Sequence, residues 1–268
     1  MKKTPFGGGE ELTSSLFSLE GKTAIVTGAS RWTGKVIALE MAKAGVDLVI
    51  CARTPKPLEA TAAEVRSLGR RCIAVPTDVG DSGQVDNLVR KAMEEYGRID
   101  ILVSNAGTDL GNSVPTLELK EEVWDSNVRL NLKGHFLCSK AVAPIMIKQG
   151  GGNIVAIAST AGLRVSPDSA GYGAAKAGLM HLVMKLAVEW AKYKIRVNAV
   201  APGFIAIPIF PGYLDRRPDL KAIYERIPLA GGVKMEHIAA AAIYLASDAA
   251  GSTTGVTIPL DGGMITKL

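Results

Sequence analysis

The chain holds only three cysteines in 268 residues, Cys51, Cys72 and Cys138, each far from the others and set in apolar context such as LVICA or RCIAV. That pattern excludes a disulfide framework and makes reduced core thiols the expectation. No Cys/His spacing suggests a zinc site, so no metal is expected. Basic blocks are missing too. The net charge of +5 is spread along the chain rather than gathered in a Lys/Arg run, which argues against a nucleic-acid partner. A few placed cations serving an anionic cofactor or substrate would account for the excess. Apolar runs such as IAAAAIYLA are too short to span a bilayer. Met1-Lys2-Lys3 could open a signal peptide, but TPFGGGEELTSS follows where an apolar stretch would be needed. The expectation is a soluble, cytoplasmic protein without a membrane partner.

What is present is a regular alternation. The Gly-rich, polar start reads as a flexible tail over residues 1–18. From Thr23, TAIVT, DLVIC, RCIAV, DILVS, NIVAIA and IRVNAV alternate with helix-length segments, including one around Glu118–Lys148 and one through Gly171–Lys192. Short β-branched runs without polar alternation suit a parallel sheet covered on both faces. The helical stretches supply its right-handed crossovers. A single doubly wound, Rossmann-like α/β domain over residues 19–268, with about seven strands, follows, its ligand crevice at the carboxyl ends of the strands. After Val200 the pattern breaks in APGFIAIPIFPGYLDRRPDLKAIYERIPLAGG, which carries five prolines. A segment this long and apolar is expected to be a lid, about 205–230, over a substrate. The alternative is a helical insertion that packs only for stability. A helix near Met235–Ser247 and a strand around Val256–Pro259 close the domain.

Thr27-Gly28-Ala29-Ser30-Arg31-Trp32-Thr33-Gly34 follows the first strand directly. Gly28 permits a tight turn, Gly34 permits close helix–strand packing, and the free N–H groups of a helix start would face an anion. Alone this is a weak signal. Further signals follow in order. Tyr172 and Lys176 are four residues apart, so on one helix face. Ser159 follows the strand NIVAIA, Asn105-Ala106-Gly107 follows DILVS, and Asn131 sits in RLNLKG.

On these residues the chain resembles the short-chain dehydrogenase/reductase family from about Leu19 to Gly263. Matching are Thr27-Gly28, Gly34, Asp78-Val79, Asn105-Ala106-Gly107, Asn131, Ser159, Tyr172 with Lys176, Pro202-Gly203 and Asp261-Gly262-Gly263. The resemblance implies an oxidoreductase that interconverts a ketone and a secondary alcohol. Tyr172 would be its general acid/base and Ser159 would position the oxygen. Lys176 would lower the phenol's pKa and hold the nicotinamide ribose, and Asn131 would order a water. It further implies that Asp78 bonds the adenine and that a symmetric dimer or tetramer forms through the two long helices. Asn105, Ala106, Gly107, Val79, Pro202, Gly203 and Ile205 belong to the implied cofactor site. NAD-preferring relatives end the second strand with an acid, whereas here it ends in Ala52-Arg53. Arg53 and Arg31 suit a 2′-phosphate, so NADP(H) is expected over NAD(H), and Ser30 and Thr33 join the implied cofactor site.

Two positions depart from the pattern. Trp32 stands where the family's turn carries its middle glycine. Either the turn uses negative φ there, or the loop is reshaped, or cofactor binding is lost; Thr33 could compensate by capping the helix or meeting a phosphate. Ile207 stands where relatives often carry a threonine. Asp109–Gly111, Arg164–Asp168 and a lid bearing Ile209, Phe210, Tyr213 and Leu214 would line an apolar substrate site. Arg216 and Arg217 could attract a carrier phosphate, which would make the substrate a 3-oxoacyl thioester. A non-catalytic nucleotide-binding or scaffold protein on the same fold is the rival from another class.

Overall fold

The computed structural model describes residues 15–109, 114–208 and 210–266. Seven strands form one sheet: β1 (Thr23–Thr27), β2 (Asp47–Ala52), β3 (Cys72–Pro76), β4 (Ile101–Ser104), β5 (Gly152–Ile157), β6 (Ile195–Pro202) and β7 (Thr257–Leu260). Their order is β3-β2-β1-β4-β5-β6-β7, and every pairing is parallel. The expected single doubly wound domain is therefore what forms. Sheet order reverses between β1 and β4, and a crevice opens at the carboxyl ends of such neighbours because their connections leave in opposite directions.

Both faces are covered, which is why β1 is buried along its whole length. On one face lie α1 (Trp32–Lys43) and α9 (Met235–Ala246), which bury Ile37, Met41, Ile238 and Leu245 against the sheet. The other face carries α3 (Ser82–Tyr96), α5 (Gly134–Gln149) and α6 (Ala170–Trp190), with Leu88, Met146 and Val183 in its core. The helix α2 (Pro55–Ser67) packs beside β2 and β3. Helix termini follow from local chemistry. For α3, Asp81 accepts from the Gln84 N–H at 3.0 Å, and Gly97 ends the helix at φ +69°. All three cysteines are buried and free, with burial pushing the Cys138 thiol up to about 12.

The long segment expected around Glu118–Lys148 is helical in three pieces. The helix α4 (Glu121–Val128) runs through a π-helical turn, Arg129–Lys133, into α5. Such a turn holds one extra residue and changes the direction side chains take, and it is frequent at functional sites. Here it carries Asn131. The segment after β6 forms two short helices, α7 (Phe210–Asp215) and α8 (Pro218–Glu225), and Leu220 and Ile223 of α8 line a pocket with Ser159 and Gly203, which follow β5 and β6.

Of the tail expected over residues 1–18, residues 1–14 lie outside the described ones. Residues 15–17 make a helical turn, with the Phe17 ring 6.2 Å from that of Tyr244. No helix among the described residues is long and apolar enough to cross a membrane.

Candidate active site

The crevice beside β1 and β4 is a cleft of about 700 Å³. Every residue expected to meet a cofactor lines it: Gly28, Ser30, Arg31, Thr33 and Gly34 from the turn, and Arg53, Asp78 and Val79 from beyond β2 and β3. Asn105, Ala106 and Gly107 join from β4, Tyr172 and Lys176 from α6, and Pro202, Gly203 and Ile205 from beyond β6. Trp32 and Ile207 line it as well.

The turn is braced from across the sheet. The Thr27 hydroxyl accepts from the N–H groups of Asn105 and Ala106, each at 2.9 Å, and the Asn105 side-chain amide donates to the Thr27 carbonyl at 2.9 Å. Asn105 therefore serves as a strut, its side chain spent on β1. Gly34 allows no Cβ, which would strike the Gly28 carbonyl and lie 2.6 Å from the Asn105 amide nitrogen. Gly28 itself takes φ +69°. Helix α1 thus starts hard against the turn, and a backbone this close suits a pyrophosphate. The fit to a dinucleotide rests on these cradling glycines and on the cations at the far end.

Trp32 corrects one expectation. It takes φ +48°, the left-handed region that glycine visits freely, rather than negative φ. The cost of such a conformation in a bulky residue is roughly 1–3 kcal/mol. The glycine-type turn is preserved, and the side chain has changed instead. Its half-buried indole lies in the cleft beneath the Arg31 guanidinium, whose carbon is 4.0 Å from the ring centroid. Thr33 does not cap the helix, since the cap position is Arg31 and no side chain bonds there.

Asp78 is engaged by protein. Its carboxylate pairs with Arg129 at 2.8 Å and accepts from the Gly80 N–H at 2.9 Å. Burial pushes its pKa up, but the Arg129 and Gly80 bonds and the nearby Arg53 charge outweigh this and hold it below the usual carboxylate value.

Asn131, Ser159, Tyr172 and Lys176 converge at the inner end. Asn131 is fully buried, and its amide donates to the Thr108 carbonyl at 3.2 Å while its oxygen accepts from the Thr108 N–H at 3.1 Å. A Cβ on Gly107 would lie 2.5 Å from the Asn131 oxygen and 3.2 Å from Lys176 Nζ. The Lys176 ammonium donates to the Ile157 carbonyl at 2.8 Å and lies 5.6 Å from the Tyr172 ring centroid. The Ser159 hydroxyl accepts from the Ala161 N–H at 3.2 Å and lines the cleft together with the Tyr172 phenol.

Acidification of Tyr172 by Lys176 is not what this arrangement gives. Burial pushes the phenol up to about 12, the Ser159 hydroxyl pulling the other way and the Asp109 charge adding to the rise. Burial also brings the Lys176 ammonium down to about 7. His135, which sequence reading passed over, is buried nearby. Desolvation, reinforced by the Lys176 charge, drives its pKa well below the ordinary value and keeps it neutral.

A second pocket of about 430 Å³ adjoins the cleft. Ser159, Tyr172, Asp109, Gly203 and Phe204 line both, so the hydroxyl pair sits at their common boundary. Arg164, Val165, Ser166 and Pro167 line it as expected, while Asp168 is drawn into an ion pair with Arg217 at 3.0 Å. Arg217 also pairs with Asp219 at 2.6 Å, which corrects its reading as a site for a phosphate. Leu110, Gly111 and Ile209 lie outside the described residues, as do the side chains of Phe210 and Tyr213. Leu214 is buried in the protein. Leu220, Ile223, Arg226 and Met264 complete the wall. No sequence pattern pointed to Arg226 or Met264 as pocket residues. The terminal Asp261-Gly262-Gly263 motif places Met264, since the Asp261 carboxylate accepts from the N–H groups of Gly263 and Ile265 at 2.9 Å each.

Residues 28–265 match the family model described as enoyl-(acyl carrier protein) reductase. The chain belongs to the short-chain dehydrogenase/reductase family. Within it, the chain is 40% identical over 250 residues to a 3-oxoacyl-[acyl-carrier-protein] reductase of Synechocystis, covering 92% of this chain and 98% of the relative. A gluconate 5-dehydrogenase from Burkholderia cenocepacia, solved with NADP and tartrate, superposes with a TM-score of 0.89 at 30% identity, covering 96% of this chain and all of that one. A 7α-hydroxysteroid dehydrogenase, solved with NADH and a 7-oxo bile acid, gives 0.87 at 31% identity, with 93% and 96% covered. As a short-chain dehydrogenase/reductase, the chain is an NAD(P)-dependent oxidoreductase of carbonyl and alcohol groups.

Proposed function

We propose that the chain reduces a 3-oxoacyl thioester to the 3-hydroxy compound with NADPH, Tyr172 giving the proton. The observation that carries this reading is that Ser159 and Tyr172 line both the cleft and the apolar pocket, at their common boundary. Bound in the cleft, the dihydronicotinamide supplies the hydride. The Ser159 and Tyr172 hydroxyls hold the substrate oxygen, and the Tyr172 proton passes to it as it becomes an alkoxide. A phenol pushed up to about 12 is neutral at physiological pH, the form a proton donor needs, and an alkoxide is basic enough to take the proton. Lys176, brought down to about 7, exchanges its own proton near neutrality and can restore the phenol. Asn131 acts through the Thr108 backbone, fixing the floor beneath Lys176.

Arg31 and Arg53, with Ala52 in place of an acid, support NADP(H) over NAD(H). The thioester is supported by the names of relatives at 36–40% identity that match nearly their whole length. Arg226 and Arg164 in the pocket wall suit an anionic tail, and α7 and α8 serve as the lid. A second reading is a cyclic or steroid-like ketone, favoured by the apolar wall of Val165, Leu220 and Ile223. The exposed Phe136, Ile147, Met184 and Val188 on α5 and α6 support a homodimer or homotetramer. The test is a panel of acetoacetyl thioesters and cyclic ketones with NADPH and NADH. Turnover of the thioester with NADPH, reduced in Arg226→Ala, supports the first reading. Turnover of cyclic ketones alone supports the second.

A further inference from the structure

Trp32 and Arg31 form a unit that the chemistry of hydride transfer does not require. The indole sits at a backbone angle that favours glycine, in the cleft, with the Arg31 guanidinium stacked on it at 4.0 Å. Ser30, Arg53 and Thr54 line the same end of the cleft, next to Ala52 at the end of β2. Among the described residues the ion pairs use neither Arg31 nor Arg53.

We infer that Trp32 is a positioning residue for the adenosine 2′-phosphate: its indole holds the Arg31 guanidinium flat, edge turned to the phosphate. This rests on the NADP(H) reading above. An arginine binds an aromatic ring through its face and a phosphate through its edge, so one guanidinium does both at once. An exposed arginine otherwise loses rotamer freedom when it closes on an anion. Stacking on the indole removes that freedom beforehand. A glycine in this turn would relieve the backbone but leave Arg31 unsupported. The strained tryptophan therefore gives the turn a selectivity that glycine cannot.

The test is calorimetric titration of the intact protein with adenosine 2′,5′-bisphosphate and with 5′-AMP, which differ only in the 2′-phosphate. Trp32→Gly and Trp32→Leu are expected to bind the bisphosphate about fivefold more weakly, the equivalent of one stacked cation. Their affinity for 5′-AMP should change less than twofold, and Trp32→Phe should recover part of the loss. Equal weakening for both nucleotides would overturn the inference, because the indole would then be holding the adenine. So would variants that keep the full preference of the unaltered protein, with the NADP(H) reading intact. An unaltered protein that does not prefer the bisphosphate would instead remove the NADP(H) reading, and this inference with it.

Discussion

The ammonium of Lys176 donates to the carbonyl oxygen of Ile157 at 2.8 Å, binding the middle of α6 to the end of β5 in a place almost closed to solvent. Burial brings its pKa from 10.5 down to about 7 in the folded protein. Between those values the unfolded chain holds a proton that the folded chain has released, so Lys176 makes stability rise with pH across this window. The slope is on the order of 1 kcal/mol per pH unit. Chemical denaturation of the parent and Lys176→Met at several pH values should show the parent gaining stability relative to the variant as pH rises through the window. A constant difference would remove the desolvation argument.

Thr27 offers a check on the fold of the turn. Its buried hydroxyl satisfies two backbone N–H groups, of Asn105 and Ala106. Thr27→Val preserves shape but orphans both, at about 1–3 kcal/mol each. A loss of about 2–6 kcal/mol is expected in urea unfolding, with weaker nucleotide binding because the strut between β1 and β4 slackens.

Arg217 joins the loop after β5 to α8 through Asp168 and Asp219. Arg217→Ala should raise the KM for the carbonyl substrate several-fold, with nucleotide affinity unchanged, because it loosens one wall of the pocket. Because Asp168 and Asp219 stay partly open to water, its stability cost should be on the order of 1 kcal/mol. Arg216→Ala, at an exposed position, should leave both constants within twofold. Equal effects from the two would restore the reading in which both attract a phosphate.

Strand and helix positions were legible because they rest on short-range patterns. TAIVT and NIVAIA contain the runs that become β1 and β5, and the turn after β1 brings Gly28, Arg31 and Gly34 into the cleft as their spacing implies. What the sequence could not carry was three-dimensional pairing. Asp78 meets Arg129 across 51 residues, and Asp168 meets Arg217 across 49. Each consumes a charge that a linear reading leaves open to a ligand. The effect of burial on Tyr172 and Lys176 was likewise invisible, since spacing shows proximity but not desolvation. Trp32 departed from expectation because the turn's geometry is set by Gly28, Gly34 and their packing on Asn105, which leaves the tryptophan to adopt the backbone it is given.

Proton donation by Tyr172 is tested most directly by mixing saturating NADPH and acetoacetyl thioester with the protein and with Tyr172→Phe, and following NADPH consumption in one turnover. Removing a general acid of this kind costs about 10²- to 10⁴-fold. The variant should bind NADPH within a few-fold of the parent and lose the reaction by at least about 10²-fold. A variant that consumes NADPH within tenfold of the parent rate would contradict the account.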